Sequence, residues 1–175
     1  MSTRRRIRDV AETDSASIAA IHGYYVVNSV LPITAPSPLS PEQWRARIVE
    51  TRRAGHPMLV ALEDDVVVGY AELSRWLGHA VFSSSAEDSV YVAPSALRRG
   101  HGGRLLDVLL EKGRDVGFRE VVAVIADADD EGRASRALHL DAGFLPAGQL
   151  RRIAHKRGRW IDLTLLQRTL GPRER

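Results

Sequence analysis

Glu87-Asp88-Ser89-Val90-Tyr91-Val92-Ala93-Pro94-Ser95-Ala96-Leu97-Arg98-Arg99-Gly100-His101-Gly102-Gly103-Arg104-Leu105-Leu106-Asp107-Val108-Leu109-Leu110 reads as a strand, a glycine-rich turn and a helix. Ser89, Tyr91 and Ala93 alternate with Val90 and Val92 on a β-prone run, Pro94 ends it, and Leu105, Leu106, Leu109 and Leu110 recur at helical spacing. Between the two, Arg98-Arg99-Gly100-His101-Gly102-Gly103 can turn tightly with its N–H groups facing inward. At a helix N-terminus such a turn suits a phosphate, and the two arginines add full charges. A P-loop would need Gly-Lys-Ser/Thr and a dinucleotide turn Gly-x-Gly-x-x-Gly; neither spacing is present.

Nearer the N-terminus, Ile7 to Val10 reads as a first strand, and Thr13-Asp14 can cap a helix that carries Ile18, Ile21, His22 and Tyr25 on one face. Pro32, Pro36, Pro38 and Pro41 make Asn28 to Pro41 a loop. Ser40-Pro41-Glu42-Gln43 then starts a second helix with capping-box spacing and proline at its first position. Residues 57–62 and 66–71 form a hairpin around Glu63-Asp64-Asp65. Beyond the Arg104–Val116 helix, Val121 to Ile125 is a continuous apolar run suited to a buried strand. Arg133 to Ala142 is helical and stops at Gly143, and Gln149–His155 with Trp160–Gln167 make a closing hairpin. This order predicts one α+β domain over residues 1–175, with a mixed, mostly antiparallel sheet flanked by helices.

Composition narrows the function classes. Cysteine is absent, which excludes disulfides, zinc–thiolate sites and cysteine nucleophiles. The six histidines show no metal-ligand spacing, so no metal is expected. A formal charge of +3 comes without a recognition-helix pattern, and no nucleic-acid partner is expected. No apolar run is long enough to span a membrane, and Met-Ser-Thr-Arg-Arg-Arg lacks the apolar stretch of a secretory signal; a cytoplasmic location is expected.

The Val90-x-Val92-x-Pro94 strand and the loop through Gly100 and Gly102 resemble the pyrophosphate loop of the GNAT superfamily of N-acetyltransferases. In this chain Leu97 and Arg98 stand where the family often has Gln/Arg and Gly. Glu87-Asp88-Ser89-Val90-Tyr91-Val92 is similar to the Glu-His-Ser-Val-Tyr-Val of the phosphinothricin and methionine-sulfoximine acetyltransferase branch. So are Leu138-His139-x-x-x-Gly143-Phe144 and the hairpin Lys156-x-Gly158-Arg159-Trp160-x-Asp162. The resemblance implies the GNAT fold, acetyl-CoA as co-substrate and a small-molecule amine as acceptor. Acetylation of protein or peptide N-termini is the alternative within that chemistry, and an idle acyl-CoA-binding module the alternative outside it.

The residues that would do the work follow from the same resemblance. Arg98, Arg99, Gly100, His101, Gly102 and Gly103 would hold the cofactor, together with backbone groups of Val90, Tyr91 and Val92. Gly132, where the branch usually has asparagine, and His139 complete that set. Glu87 is the candidate general base, because amine acetylation needs a neutral nitrogen; Asp88 points to the other face of a regular strand. A bulge in this strand would free a backbone N–H near Val90–Val92 for the thioester oxygen. His139 would protonate the leaving thiol or contact the cofactor. On the substrate side lie Arg75, Leu77, Phe82, Glu87, Asp88 and Ser89. Two arginines of the branch are replaced by Leu77 and Ser83, so a grip on an anionic substrate is lost unless Arg75 swings in. Trp160 suits a homodimer interface.

Overall fold

The structure, a computed structural model, describes residues 4–33 and 35–171. Its strands are β1 (Arg5–Asp9), β2 (Met58–Glu63), β3 (Val66–Arg75), β4 (Ser85–Val92), β5 (Glu120–Asp127), β6 (Leu145–Lys156) and β7 (Arg159–Thr169). Its helices are α1 (Ser15–Asn28), α2 (Pro41–Arg53), α3 (His101–Asp115) and α4 (Arg133–Asp141). One sheet runs in the order β1-β2-β3-β4-β5-β7-β6, antiparallel throughout except at β4–β5. This is the α+β arrangement that the order of elements predicts. No helix among the described residues is long and apolar enough to cross a membrane.

Period-two alternation divides the sheet into two faces. Leu59, Ala61, Ala71, Leu73, Ala86 and Val90 point to one side, where Leu105, Leu106, Leu109 and Leu110 of α3 and Phe144 complete a core. Met58, Val60, Leu62, Tyr70 and Tyr91 point to the other, against Ile18 and Ile21 of α1 and Trp44 and Ile48 of α2. Truncating any of the buried leucines to alanine would cost roughly 2–5 kcal/mol, because a cavity adds to the lost transfer energy.

Local signals decide most element ends. The Ser40–Gln43 capping box forms as expected, with Gln43 N–H donating to Ser40 Oγ at 3.3 Å and Ser40 N–H to Gln43 Oε1 at 2.8 Å. Asp14 does not cap α1. Its carboxylate instead turns back to accept Arg8 Nη1 and Nη2 at 2.7 and 2.8 Å and the Ala11 N–H at 2.8 Å. The helix expected from Arg104 begins three residues earlier, because Gly100 takes φ 82 and Arg104 N–H already bonds its carbonyl. The expected bulge in β4 is also absent: its register with β3 is unbroken from Gly69↔Val92 to Arg75↔Ala86.

The opening arises on the other edge of β4. That strand pairs with β5 only through Ser85↔Glu120, Ala86↔Val121 and Glu87↔Val122, whereas β5 stays paired to β7 from Glu120 to Asp127. Past Glu87 the two parallel strands part, leaving a wedge in the middle of the sheet.

Candidate active site

The wedge presents free backbone. Ala93 N–H bonds Val68 O on the β3 side, and backbone groups alternate along a strand, so the N–H and C=O of Val90 and Val92 point into the gap. Tyr25 of α1 donates its hydroxyl to Val92 O at 2.7 Å, which occupies one of these groups. Val90 lies three residues past the last position paired between β4 and β5, Glu87↔Val122.

At the mouth of the wedge, Gly100 in the left-handed region turns the chain into α3. Among the described residues, none of the N–H groups from Arg98 to Gly103 has a hydrogen-bond acceptor in the protein. A Cβ at Gly102 would meet Leu138 of α4 at 3.5 Å, an ordinary van der Waals contact, so the loop packs on α4 without needing glycine there. The side chains of Arg99 and His101 are spent elsewhere. Both go to Glu63 at the end of β2, Arg99 Nη1 at 2.8 Å and His101 Nε2 at 2.6 Å, and Arg5 Nη1 donates to Arg99 O at 3.1 Å. Glu63, held below the usual carboxylate range first by His101, anchors the loop. The loop therefore meets a ligand mainly with backbone N–H groups, and that donor set fits a pyrophosphate.

Glu87 stands where the wedge begins, half-buried on the face covered by α1 and α2. Burial raises its pKa above the usual value, and the nearby charges of Asp88 and Glu72 raise it further. Glu72 lies opposite Ser89, which makes Glu87 and Tyr91 its diagonal neighbours at roughly 7–8 Å. Arg47 of α2 grips Glu72 through Nε at 3.1 Å and Nη2 at 2.7 Å and lies over the Trp44 ring at 5.4 Å. Tyr70 and Tyr91 stack at 5.4 Å, and His22 meets Trp44 and Tyr91 edge-on. Burial, followed by the charges of Arg47 and Lys156, lowers the His22 pKa to about 4, so this histidine is neutral at pH 7.

Asp88 faces the opposite side of the sheet, as strand alternation predicts, and is buried with His139 of α4. His139 Nε2 is 2.9 Å from Asp88 Oδ2 and its Nδ1 donates to Ser135 O at 2.7 Å. Burial disfavours the imidazolium, but the hydrogen bond and charge of Asp88 and the Ser135 carbonyl outweigh it and raise the pKa. Asp88 Oδ1 is buried without a partner. Gly132 opens α4 pressed against β5, where a Cβ would lie 2.7 Å from Ala126 O.

Several substrate-side expectations shift. Arg75 is exposed at the end of β3 opposite Ala86, on the α3 side of the sheet, so it does not share a face with Glu87. Asp88 is likewise on the far face, engaged by His139. Leu77, at φ 52, is exposed, while Phe82 is half-buried in the short turn before β4. Glu87 and Ser89 do share a face, the one covered by α1 and α2. Sequence reasoning missed Arg47, Glu72, His22 and Trp44 as a cluster there. The hairpin motif mostly fastens loops. Lys156 Nζ donates to Pro32 O at 2.8 Å, and Arg159 pairs with Asp129 and Glu131, which also accepts Val30 N–H at 3.0 Å.

A free-amide turn at a helix start is the arrangement the resemblance implies, and the model of the acetyltransferase (GNAT) family matches residues 24–144. The chain belongs to the GNAT acetyltransferase family. The phosphinothricin N-acetyltransferase of Alcaligenes faecalis is 35% identical over 165 residues, covering 94% of this chain and 82% of its relative. An L-methionine sulfoximine/L-methionine sulfone acetyltransferase of Pseudomonas paraeruginosa is 35% identical over 167 residues and 95% of each chain. The crystal structure of a GNAT phosphinothricin acetyltransferase from Sinorhizobium meliloti in complex with acetyl-CoA aligns with a TM-score of 0.89 at 32% identity. That alignment covers 95% of this chain and 89% of the other. This GNAT chain is an acetyltransferase of the phosphinothricin and methionine-sulfoximine branch, with acetyl-CoA as its co-substrate.

Proposed function

We propose that this GNAT enzyme acetylates the primary amine of a small, amino-acid-like molecule by direct transfer, with Glu87 as general base. The observation that carries this is the position of Glu87, half-buried where β4 parts from β5 and raised in pKa by burial, Asp88 and Glu72. An alkylammonium of pKa ~10.4 is deprotonated to about one part in a few thousand at pH 7, a cost of about 4–5 kcal/mol if the site supplies no base. A carboxylate of raised proton affinity takes that proton directly or through one water.

Bound acetyl-CoA supplies an acetyl group on a thiol leaving group. The Arg98–Gly103 amides and the start of α3 hold its pyrophosphate, and Val90 N–H donates to the thioester oxygen. A thiol of pKa ~8.5 departs tolerably as thiolate, so little general-acid help is needed. His139 has both ring nitrogens engaged, Nδ1 by Ser135 O and Nε2 by Asp88, so it contributes no free proton to the leaving thiol. Arg98, whose side chain is not tied to Glu63, and Gly132 at the start of α4 belong to the same cofactor side.

Thiol release on mixing the protein with acetyl-CoA and a panel of primary amines tests the reading. Amine-dependent release that Glu87→Gln lowers by orders of magnitude supports it, whereas amine-independent hydrolysis or no release counts against it. The reading includes a homodimer. Leu150, Ile153 and Trp160 stand 45%, 56% and 53% exposed on the β6–β7 hairpin, a supply of apolar surface that an interface would cover. Light scattering giving a monomer mass would remove that part.

A further inference from the structure

The acceptor face carries a cation that the resemblance does not point to. Arg47 uses Nε–H and one Nη2–H on Glu72, the side-on bidentate mode. Two N–H groups on Nη1 and one on Nη2 have no acceptor among the described residues. The guanidinium is held on both sides, by the carboxylate of Glu72 and by the ring of Trp44, yet its side chain remains 44% exposed while that of Glu72 is 5% exposed. This is a preorganised donor edge, and a planar fork of that kind matches a second carboxylate bidentately.

Glu72 is diagonal to Glu87 on the same face, so the donor edge is anchored one diagonal step from the candidate base, on the face that also carries Tyr70 and Tyr91. Leu77 and Ser83 carry no charge, and Arg75 lies on the other face. Building on the proposed amine acetylation, we infer that Arg47 binds the carboxylate of the acceptor, Glu72 acts as the positioning residue that fixes it, and the substrate is an amino acid with one carboxylate and an uncharged side chain. A second anionic group is disfavoured, because Glu72 and Glu87 already place two carboxylates beside one guanidinium.

The test compares a neutral L-amino acid such as L-phenylalanine with its primary amide. The amide is the stricter control, since its ammonium loses a proton more readily and chemistry alone favours it. Wild-type protein should prefer the acid in kcat/KM, and Arg47→Gln should lose roughly tenfold to hundredfold for the acid through KM, with little change for the amide. Because Arg47→Gln leaves Glu72 unpaired, the double variant Arg47→Gln/Glu72→Gln is measured beside it and should show the same loss. Glu72→Gln alone should weaken the preference for the acid, and rescue by Arg47→Lys should be partial at most. Binding is read separately from quenching of tryptophan fluorescence, since Arg47 lies on Trp44. Equal binding of acid and amide by wild type, or an acid-to-amide ratio unchanged in the double variant, overturns the inference. Carboxylate-selective, Arg47-dependent binding without acetyl transfer would leave it standing and sink the proposed reaction instead.

Discussion

Asp88 and His139, 51 residues apart, close a buried pair at 2.9 Å between β4 and α4. Because the pair raises the folded-state pKa of His139 above 6.5, the folded protein holds more protons than the unfolded chain between those two values. The stabilisation is fully present below pH ~6.5 and is lost as pH rises through the higher folded value. Denaturant unfolding at successive pH values above 6.5 should show this decline. Asp88→Asn should flatten it, and an unchanged slope in that variant would assign the decline to another group.

Glu87→Gln should lower turnover by roughly 10²–10⁴-fold while acetyl-CoA affinity stays near that of wild type, since the amide keeps the shape and loses the proton acceptor. In wild type, activity should fall as pH drops through the raised pKa of Glu87. An acid limb that persists unchanged in the residual activity of Glu87→Gln would identify a different acceptor.

Gly100→Ala tests the loop. A Cβ there meets nothing within 4 Å, so its effect is conformational, the φ of 82 being costly for an L side chain by about 1–2 kcal/mol. Acetyl-CoA at ~100 times its dissociation constant should add about 2.7 kcal/mol to wild-type stability. The same concentration should add less to Gly100→Ala, and equal gains would show that the left-handed turn is unnecessary for binding.

Gly132→Asn restores the residue common in the branch, yet it should destabilise this chain. Its Cβ would press on the backbone oxygen of Ala126 at 2.7 Å, with Asp127 and Ile125 at 3.1 Å. A backbone carbonyl cannot move aside cheaply, and overpacking of this kind costs roughly 1–3 kcal/mol. Thermal unfolding of the variant at or above the wild-type midpoint would show that the β5–α4 connection relaxes freely.

What could be read from the residues was what short-range chemistry controls. The α3 leucines, the Ser40–Gln43 box and the Lys156–Gly158 turn each lie within a few positions of one another and placed those elements, though α3 begins at His101 rather than Arg104 and β6 at Leu145 rather than Gln149. The face occupied by Asp88 followed from alternation alone. Its partner did not, because His139 arrives on a helix from a distant part of the chain. The same holds for Arg47 and Glu72: neither is unusual in its own helix or strand, and only the β3–β4 register brings their pair beside Glu87. Arg75 shows the converse, a residue near the substrate region in sequence whose register places it on the other face. Glu63, in a hairpin turn, gave no local sign that it would hold Arg99 and His101.

The parting of β4 from β5 also turns amide exchange into a ligand gauge. Val90 and Val92 sit in a central strand of a seven-stranded sheet, where exchange with solvent deuterium is ordinarily slowest. Their amides nevertheless face the seam without a strand partner, so in the free protein they should exchange like loop amides, while Tyr91, bonded toward β3, stays protected. An occupant of the seam would slow Val90 and Val92 selectively, reporting binding from the interior of the sheet at single-residue resolution without any turnover.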